Sequence, residues 1–553
     1  MTTAHRDPFA RDHLPPRELW PEFLFKRPEY RYPERVNAAT ELLDGALVRG
    51  WGDRVALRLV ASDREHHCTY GELLAQVNRI VRVLTDKLGL VPGNRVLLRG
   101  PNHPMLAASF LAVLKAGLIA VPTMPLLRAR ELKAIADKAQ VNAALCDVRL
   151  RDELDQLTAP ASEFHAPSLA HTLYFNSDAP DALEARAAHV PVALVADTPG
   201  CATYRDDVAL IAFTSGTTGQ PKGTVHFHRD ILVMSDAFPR HVLKPKADDI
   251  FCGTPPLAFT FGLGGLLTMP LRAGAGVVLA EKLDPEALLA AAARTKATVM
   301  FTAPTMYRAM ALLLRDGKAA AAPSLRRCVS AGEALPDATR TLWREATGIE
   351  LIDGIGATEM IHIFISAADG KVRPGAVGKV VPGYDARVVD ESMNEVPPGT
   401  IGKLAVRGPS GCRYLADERQ RQYVRDGWNL TGDSFMRDAD GYFFYQARND
   451  DMIVSAGYNI AGPEVEAALL THPAVAECGV VGVPDEARGQ IVKAFVVLKP
   501  GYSGDVHTTR ALQDFVKQSI APYKYPRAIE YLAALPRTET GKLQRFKLRQ
   551  PST

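Results

Sequence analysis

The chain has 553 residues, too many for one compact core, so at least two domains are expected. Its 65 basic side chains nearly cancel its 62 acidic ones, and a net charge of +3 gives no global electrostatic case for nucleic-acid or bilayer binding. The seven cysteines (Cys68, Cys146, Cys201, Cys252, Cys328, Cys412 and Cys478) are odd in number and form no C-x-x-C pair, which argues against a zinc site or a disulfide framework and for reduced, mostly buried thiols.

The first fifty residues are rich in Pro, Arg and aromatics and read as an arm wrapping a core. Residues 1–16 have no apolar core, so no signal peptide is expected. The longest apolar stretch, 105–122, is interrupted by Lys115 and is too short to span a bilayer. The reading is a cytoplasmic protein without a nucleic-acid or membrane partner, and a homodimer is compatible with it.

From Thr69 the pattern becomes regular. Thr69 and Glu72 have the spacing of a capping box, and Leu73, Leu74, Val77, Ile80, Val81 and Leu84 follow at helical spacing. Pro92 and Gly93 break the chain before a short apolar run at 96–98, a helical stretch at 104–115 and another apolar run at 118–121. That is β-α-β, the unit of a parallel sheet. The alternation recurs, with apolar runs at 143–145, 208–213, 298–301 and 327–329 between Ala-rich helical stretches. After about residue 374 short Gly- and Pro-punctuated strands follow one another without helices, at 377–389 and 402–406, which predicts a small β-rich subdomain over about 374–448. Mixed α and β resumes after Arg448, and the polar run Asn449-Asp450-Asp451 has the composition of a hinge. The expected fold is α/β: a large N-terminal lobe of parallel sheets with a β-rich subdomain (1–448), then a mobile α+β C-terminal domain (449–553).

The strongest local signal is Thr214-Ser215-Gly216-Thr217-Thr218-Gly219-Gln220-Pro221-Lys222-Gly223, directly after an apolar run. Three glycines let the backbone turn tightly and bring N–H groups to an anion; the hydroxyls add donors and Lys222 adds charge. This composition suits a polyphosphate. It is not the P-loop of kinases, which needs G-x-x-x-x-G-K followed by Ser or Thr.

This string resembles the phosphate loop of the adenylate-forming superfamily of acyl- and aryl-CoA ligases, luciferases and peptide-synthetase adenylation domains. Further motifs fall in that family's order along nearly the whole chain. The resemblance implies ATP, Mg²⁺ and coenzyme A as cofactors, with Thr214, Ser215, Gly216, Thr217, Thr218, Gly219 and Lys222 gripping phosphate. Gly332, Glu333 and Ala334 resemble the segment lining adenine. Gly354-Ile355-Gly356-Ala357-Thr358-Glu359 resembles the motif in which Thr358 touches phosphate and Glu359 holds the metal, although the superfamily often has tyrosine where this chain has Ile355. Thr431-Gly432-Asp433 and Arg448 resemble the ribose contacts, Asp450 the pivot of the C-terminal domain, and Gly457 the glycine beside the pantetheine tunnel. The run 536–542 resembles the loop whose lysine, Lys542, catalyses adenylation by meeting the charge that builds on the α-phosphate. A basic stretch from Lys517 to Arg549 reads equally as a CoA phosphate site or as a solvated surface.

The acid is read from two further likenesses. Thr358-Glu359-Met360-Ile361-His362-Ile363-Phe364 resembles benzoate-CoA ligases, and 12–21 resembles 2-aminobenzoate-CoA ligases. Phe259, Phe261, Gly262 and His362 would then wall a flat pocket for a small aromatic carboxylic acid. The alternatives are a fatty acyl-CoA or acyl-AMP ligase with the same first step, and a stand-alone adenylating enzyme that loads a carrier protein.

Overall fold

The computed structural model describes residues 2–60, 65–214, 221–281, 283–448, 451–455, 458–485, 488–537 and 543–549. Two large sheets dominate. The first runs, in spatial order, His171–Phe175, Ala143–Asp147, Arg95–Arg99, Ile119–Thr123, Val208–Thr214 and Lys222–Phe227. All its pairings are parallel except the last. The second has nine strands. Its parallel centre is Leu351–Gly356, Arg327–Ala331, Val299–Thr302, Ile250–Gly253, Gly276–Leu279 and Val55–Val60, with antiparallel strands at both edges.

The sequence pattern explains these elements. Thr69 caps the helix Tyr70–Arg82 with the expected box: its hydroxyl accepts from the Glu72 N–H at 3.2 Å and its own N–H donates to the Glu72 carboxylate at 2.8 Å. Pro104 sits at the first turn of the helix Pro104–Lys115, where its missing N–H costs nothing. That helix is apolar all round, and eleven of its residues are buried. It packs with Tyr70–Arg82 and His228–Phe238 into one continuous core holding residues of both sheets, including Val96 and Leu98 from one and Leu57, Val277 and Phe301 from the other. The outer faces carry smaller cores under their own helices. All seven cysteines are free thiols, five of them buried.

A five-stranded antiparallel sheet follows, built from Asp385–Val389, Ile401–Arg407, Val424–Arg425, Trp428–Arg437 and Phe443–Arg448. This is the expected β-rich part, but it starts later than residue 374. The strand Lys379–Val380 instead pairs with Ile363–Ser366 as the edge of the nine-stranded sheet. A two-residue strand has no periodicity to reveal its partner. The last sheet joins Tyr458–Ile460, Ile453–Ser455, Gly489–Leu498 and Val475–Asp485, with Ala528–Tyr531 parallel to Gly489–Leu498. It has its own core around Val465, Val480, Val496 and Leu512.

The N-terminal arm ties the lobes together. The Asp7 carboxylate pairs with buried Arg95 of the first sheet. Further along, the Leu24 N–H donates to Gly408 O at 2.9 Å and the Tyr30 hydroxyl to Pro382 O at 2.6 Å, both on the β-rich side. Among the described residues no helix is long and apolar enough to cross a membrane.

Candidate active site

Thr214 closes one strand and Lys222 opens the next, and the two are register partners in an antiparallel pair. That antiparallel pair is the edge of the six-stranded sheet. Ser215, Gly216, Thr217, Thr218 and Gly219 lie outside the described residues. Lys222 places its ammonium 5.3 Å from the centre of the Tyr414 ring.

The strand that Lys222 opens has a second neighbour. Val225 N–H donates to Arg413 O at 2.7 Å, and Leu415 N–H donates to Gly223 O at 2.8 Å. Arg413, Tyr414 and Leu415 are all fully buried there. Arg413 pairs with the equally buried Asp230, whose carboxylate also accepts the Phe227 N–H at 2.9 Å, at the start of the helix His228–Phe238. The cation holds the Asp230 carboxyl down at about 2 against the upward push of burial, which is the largest influence on it.

Thr358 and Glu359 form one turn of 3₁₀ helix after the strand Leu351–Gly356. His226 Nε2 donates to Thr358 O at 2.8 Å, and the Tyr414 hydroxyl donates to Glu359 Oε1 at 2.5 Å. Burial and the Glu359 charge push the Tyr414 phenol far above its ordinary range, so it stays a donor. At the foot of the same strand Asp353 is buried, and its carboxyl is pushed up to about 7 by burial, with Arg340 opposing.

Asp433 and Arg448 face each other across two adjacent strands, with Nη1 and Oδ1 3.2 Å apart. Asp433 is buried and Arg448 half exposed. Burial raises the Asp433 carboxyl, while Arg448 and Thr431 counter it. The pair leaves a carboxylate and a guanidinium at one edge, suited to a vicinal diol. Gly332 and Ala334 are exposed just after the strand Arg327–Ala331, with half-buried Glu333 between them. Glu333 Oε1 lies 3.7 Å from Arg537 of the C-terminal part.

The aromatic pocket differs in detail from expectation. His362 is buried, its ring 5.9 Å from Phe261 and 5.8 Å from Phe238. Phe261 in turn meets Phe301 at 5.6 Å. Burial pushes the His362 imidazole down to about 3, opposed by a hydrogen bond with the Phe261 backbone. It is neutral at working pH. Ile361 holds a φ of +66°, a rare conformation for a β-branched residue, and this turn brings His362 inward after Glu359. Phe259 is half-exposed at the start of the helix Thr260–Leu263 and joins none of these ring pairs. Gly262 does not open pocket space: a Cβ there would lie 2.1 Å from Pro256 O, so it serves a tight backbone turn. The glycine that faces His362 is Gly264, with a virtual Cβ 2.6 Å from Cδ2.

Gly457, Asp450 and Lys542 lie outside the described residues. The basic stretch around Lys542 is not a bare cationic face. Lys517 pairs with Asp514, Lys524 with Glu464, Arg537 with Glu477, Arg545 with Glu466 and Arg549 with Asp451. All of these acids but Asp514 lie sixty or more residues upstream, where a local charge count does not reach.

Among the described residues no group of three or more His, Cys, Asp or Glu side chains could hold a metal. Mg²⁺ takes one or two carboxylates and otherwise phosphate and water. Glu359, with one oxygen engaged by Tyr414, is such a carboxylate. Tyr414, His226, Phe238 and Phe301 approach from distant segments and carry no local motif, so the sequence does not single them out.

Known proteins similar to this chain show its family. Residues 46–414 match the model for the AMP-binding enzyme family, and 464–542 match the AMP-binding enzyme C-terminal domain. The benzoate–CoA ligase of Thauera aromatica is 36% identical over 94% of this chain and 97% of its own. The anthranilate CoA ligase AuaEII, solved with anthranoyl-AMP, superposes with a TM-score of 0.84 at 33% identity, covering 95% of this chain and 98% of that one. A benzoate CoA ligase from Burkholderia xenovorans gives 0.81 at 30% identity, over 93% and 100%. The chain belongs to the AMP-binding enzyme family. It is an AMP-forming acid–thiol ligase that works with ATP, Mg²⁺ and coenzyme A.

Proposed function

We propose that the acid is a small aromatic carboxylate of the benzoate or 2-aminobenzoate class. The observation that carries this is the aromatic cluster in which Phe238 and Phe261 pack on His362, three residues past Glu359, and Phe301 packs on Phe261. Flat rings suit a flat substrate, and the neutral imidazole supplies hydrogen bonding to the carboxylate or an ortho substituent. The relatives named for benzoate and anthranilate support the same reading.

In this reading the acid attacks the α-phosphate of ATP, giving aryl-AMP and pyrophosphate. The loop from Thr214 to Lys222 holds phosphate, Thr358 contacts it, and Glu359 holds Mg²⁺, which neutralises phosphate charge when bound. Gly332, Glu333 and Ala334 line adenine, and Asp433 with Arg448 holds the ribose. Lys542 meets the charge developing on the α-phosphate. The thiol of CoA then reaches the carbonyl past Gly457, releasing AMP. The two steps need different partners in one place, so a C-terminal domain beginning at 449 turns on Asp450 between them. The contact of Arg537 with Glu333 supports the first arrangement, because Lys542 follows five residues later.

Acid-dependent pyrophosphate release without CoA, followed by AMP release on adding CoA, tests the two half-reactions. Release of AMP on adding a carrier protein but not on adding CoA would favour a loading enzyme instead.

A further inference from the structure

We infer that Tyr414 is a positioning residue for Glu359, holding the carboxylate in the orientation in which its second oxygen takes a hard divalent cation. This rests on the reading of Glu359 as the Mg²⁺ ligand and adds a residue from a separate part of the chain to that site.

The geometry has three parts. The Tyr414 hydroxyl donates to Glu359 Oε1 at 2.5 Å, while Oε2 has no hydrogen-bond partner among the described residues. One oxygen is fixed and the other left for a ligand. Glu359 is only half buried, and a glutamate free to rotate loses side-chain entropy when it is fixed. Anchoring it beforehand removes that cost from metal binding.

Tyr414 is itself immobile. It is fully buried, with Tyr423 edge-on at 5.6 Å and 70°, and its N–H donates to Gln420 Oε1 at 2.9 Å. Its neighbours Arg413 and Leu415 are hydrogen-bonded to the strand that begins at Lys222. The anchor is therefore built onto the base of the phosphate loop.

The third part is Lys222, whose ammonium lies over the Tyr414 ring. One phenol thus touches both the cation that closes the phosphate loop and the carboxylate that holds the metal. A ring serving only to fill space needs no hydroxyl in that position.

The test is Mn²⁺ binding, followed by EPR, to the full-length protein with a non-hydrolysable ATP analogue. Tyr414→Phe keeps the ring, its burial and the Lys222 contact, and removes only the O–H. The expected result is Mn²⁺ affinity lowered about tenfold, the size usual for a partner of a metal ligand, with the thermal midpoint unchanged. Glu359→Gln should lose more, and adding Tyr414→Phe to it should change nothing further. Wild-type Mn²⁺ affinity in Tyr414→Phe, beside a loss in Glu359→Gln, overturns the inference alone. Wild-type affinity in Glu359→Gln overturns the metal-ligand reading beneath it. If Tyr414→Phe does not fold, 3-fluorotyrosine at 414 replaces it: its ¹⁹F resonance should shift when Mg²⁺ is added to the nucleotide complex, and an unmoved resonance contradicts the inference.

Discussion

The ring of His362 packs against the backbone of Gly264 so closely that a Cβ on that glycine would lie 2.6 Å from Cδ2 and 2.7 Å from Nε2. Gly264→Ala must therefore displace the imidazole or the helix. Overpacking of this kind costs about 1–3 kcal/mol, so the thermal midpoint should fall. The kcat/KM for the aromatic acid should fall too, while KM for ATP stays near its wild-type value. Steady-state kinetics with each substrate varied in turn checks this. Equal loss toward both substrates would show that the glycine does not act through the acid pocket.

His362 is neutral and buried among aromatic rings, with one hydrogen bond to the Phe261 backbone, so His362→Leu should cost about 1–3 kcal/mol of stability. The same change should lower kcat/KM for benzoate by about tenfold, the worth of one lost hydrogen bond. With the imidazole held down to about 3, the pH–rate profiles of wild type and variant should have the same shape between pH 6 and 8. An inflection near 6.5 present only in the wild type would contradict the neutral-ring account.

Asp353 links stability to pH. Burial raises its folded pKa from 3.8 to about 7, so as pH rises the unfolded chain releases this proton before the folded one does. Its contribution is most favourable below about pH 4 and declines as pH rises to about 7. Three pKa units correspond to roughly 4 kcal/mol at most. Asp353→Asn keeps an acceptor for the Gly354 N–H and removes the titration. The variant should gain stability relative to wild type between pH 5 and pH 8, read as the difference in denaturant midpoints. A constant difference across that range would refute the shift.

Lys542→Ala separates the half-reactions. An ammonium at ~4 Å from a developing phosphoryl charge is worth about 4 kcal/mol at an effective dielectric of about 20, or roughly a thousandfold in rate. Adenylation should fall by about that factor, while thioester formation from supplied aryl-AMP is largely kept. Equal loss in both steps would argue against a C-terminal domain that alternates between two positions.

What could be read in the sequence was local. The capping box at Thr69 and Glu72, Pro104 at a helix start and the apolar runs of the parallel strands each need only a few neighbouring residues, and each appears as expected. The site was legible where its parts form contiguous strings, as at 354–359. It was not legible where the chemistry depends on distant approach. Tyr414 meets Glu359 across fifty-five positions, and the acids that neutralise Arg545 and Arg549 lie seventy-nine and ninety-eight positions away. Gly262 and Gly264 look alike in the string, and only the path of the backbone shows which one faces the ring.

The most direct test of the central claim is kcat/KM for thioester formation across a panel of acids, with ATP, Mg²⁺ and CoA saturating. The account predicts that benzoate and 2-aminobenzoate exceed a medium-chain fatty acid by at least about tenfold, the discrimination one well-fitted pocket group supplies. A fatty acid turned over as well as benzoate, or better, would contradict it.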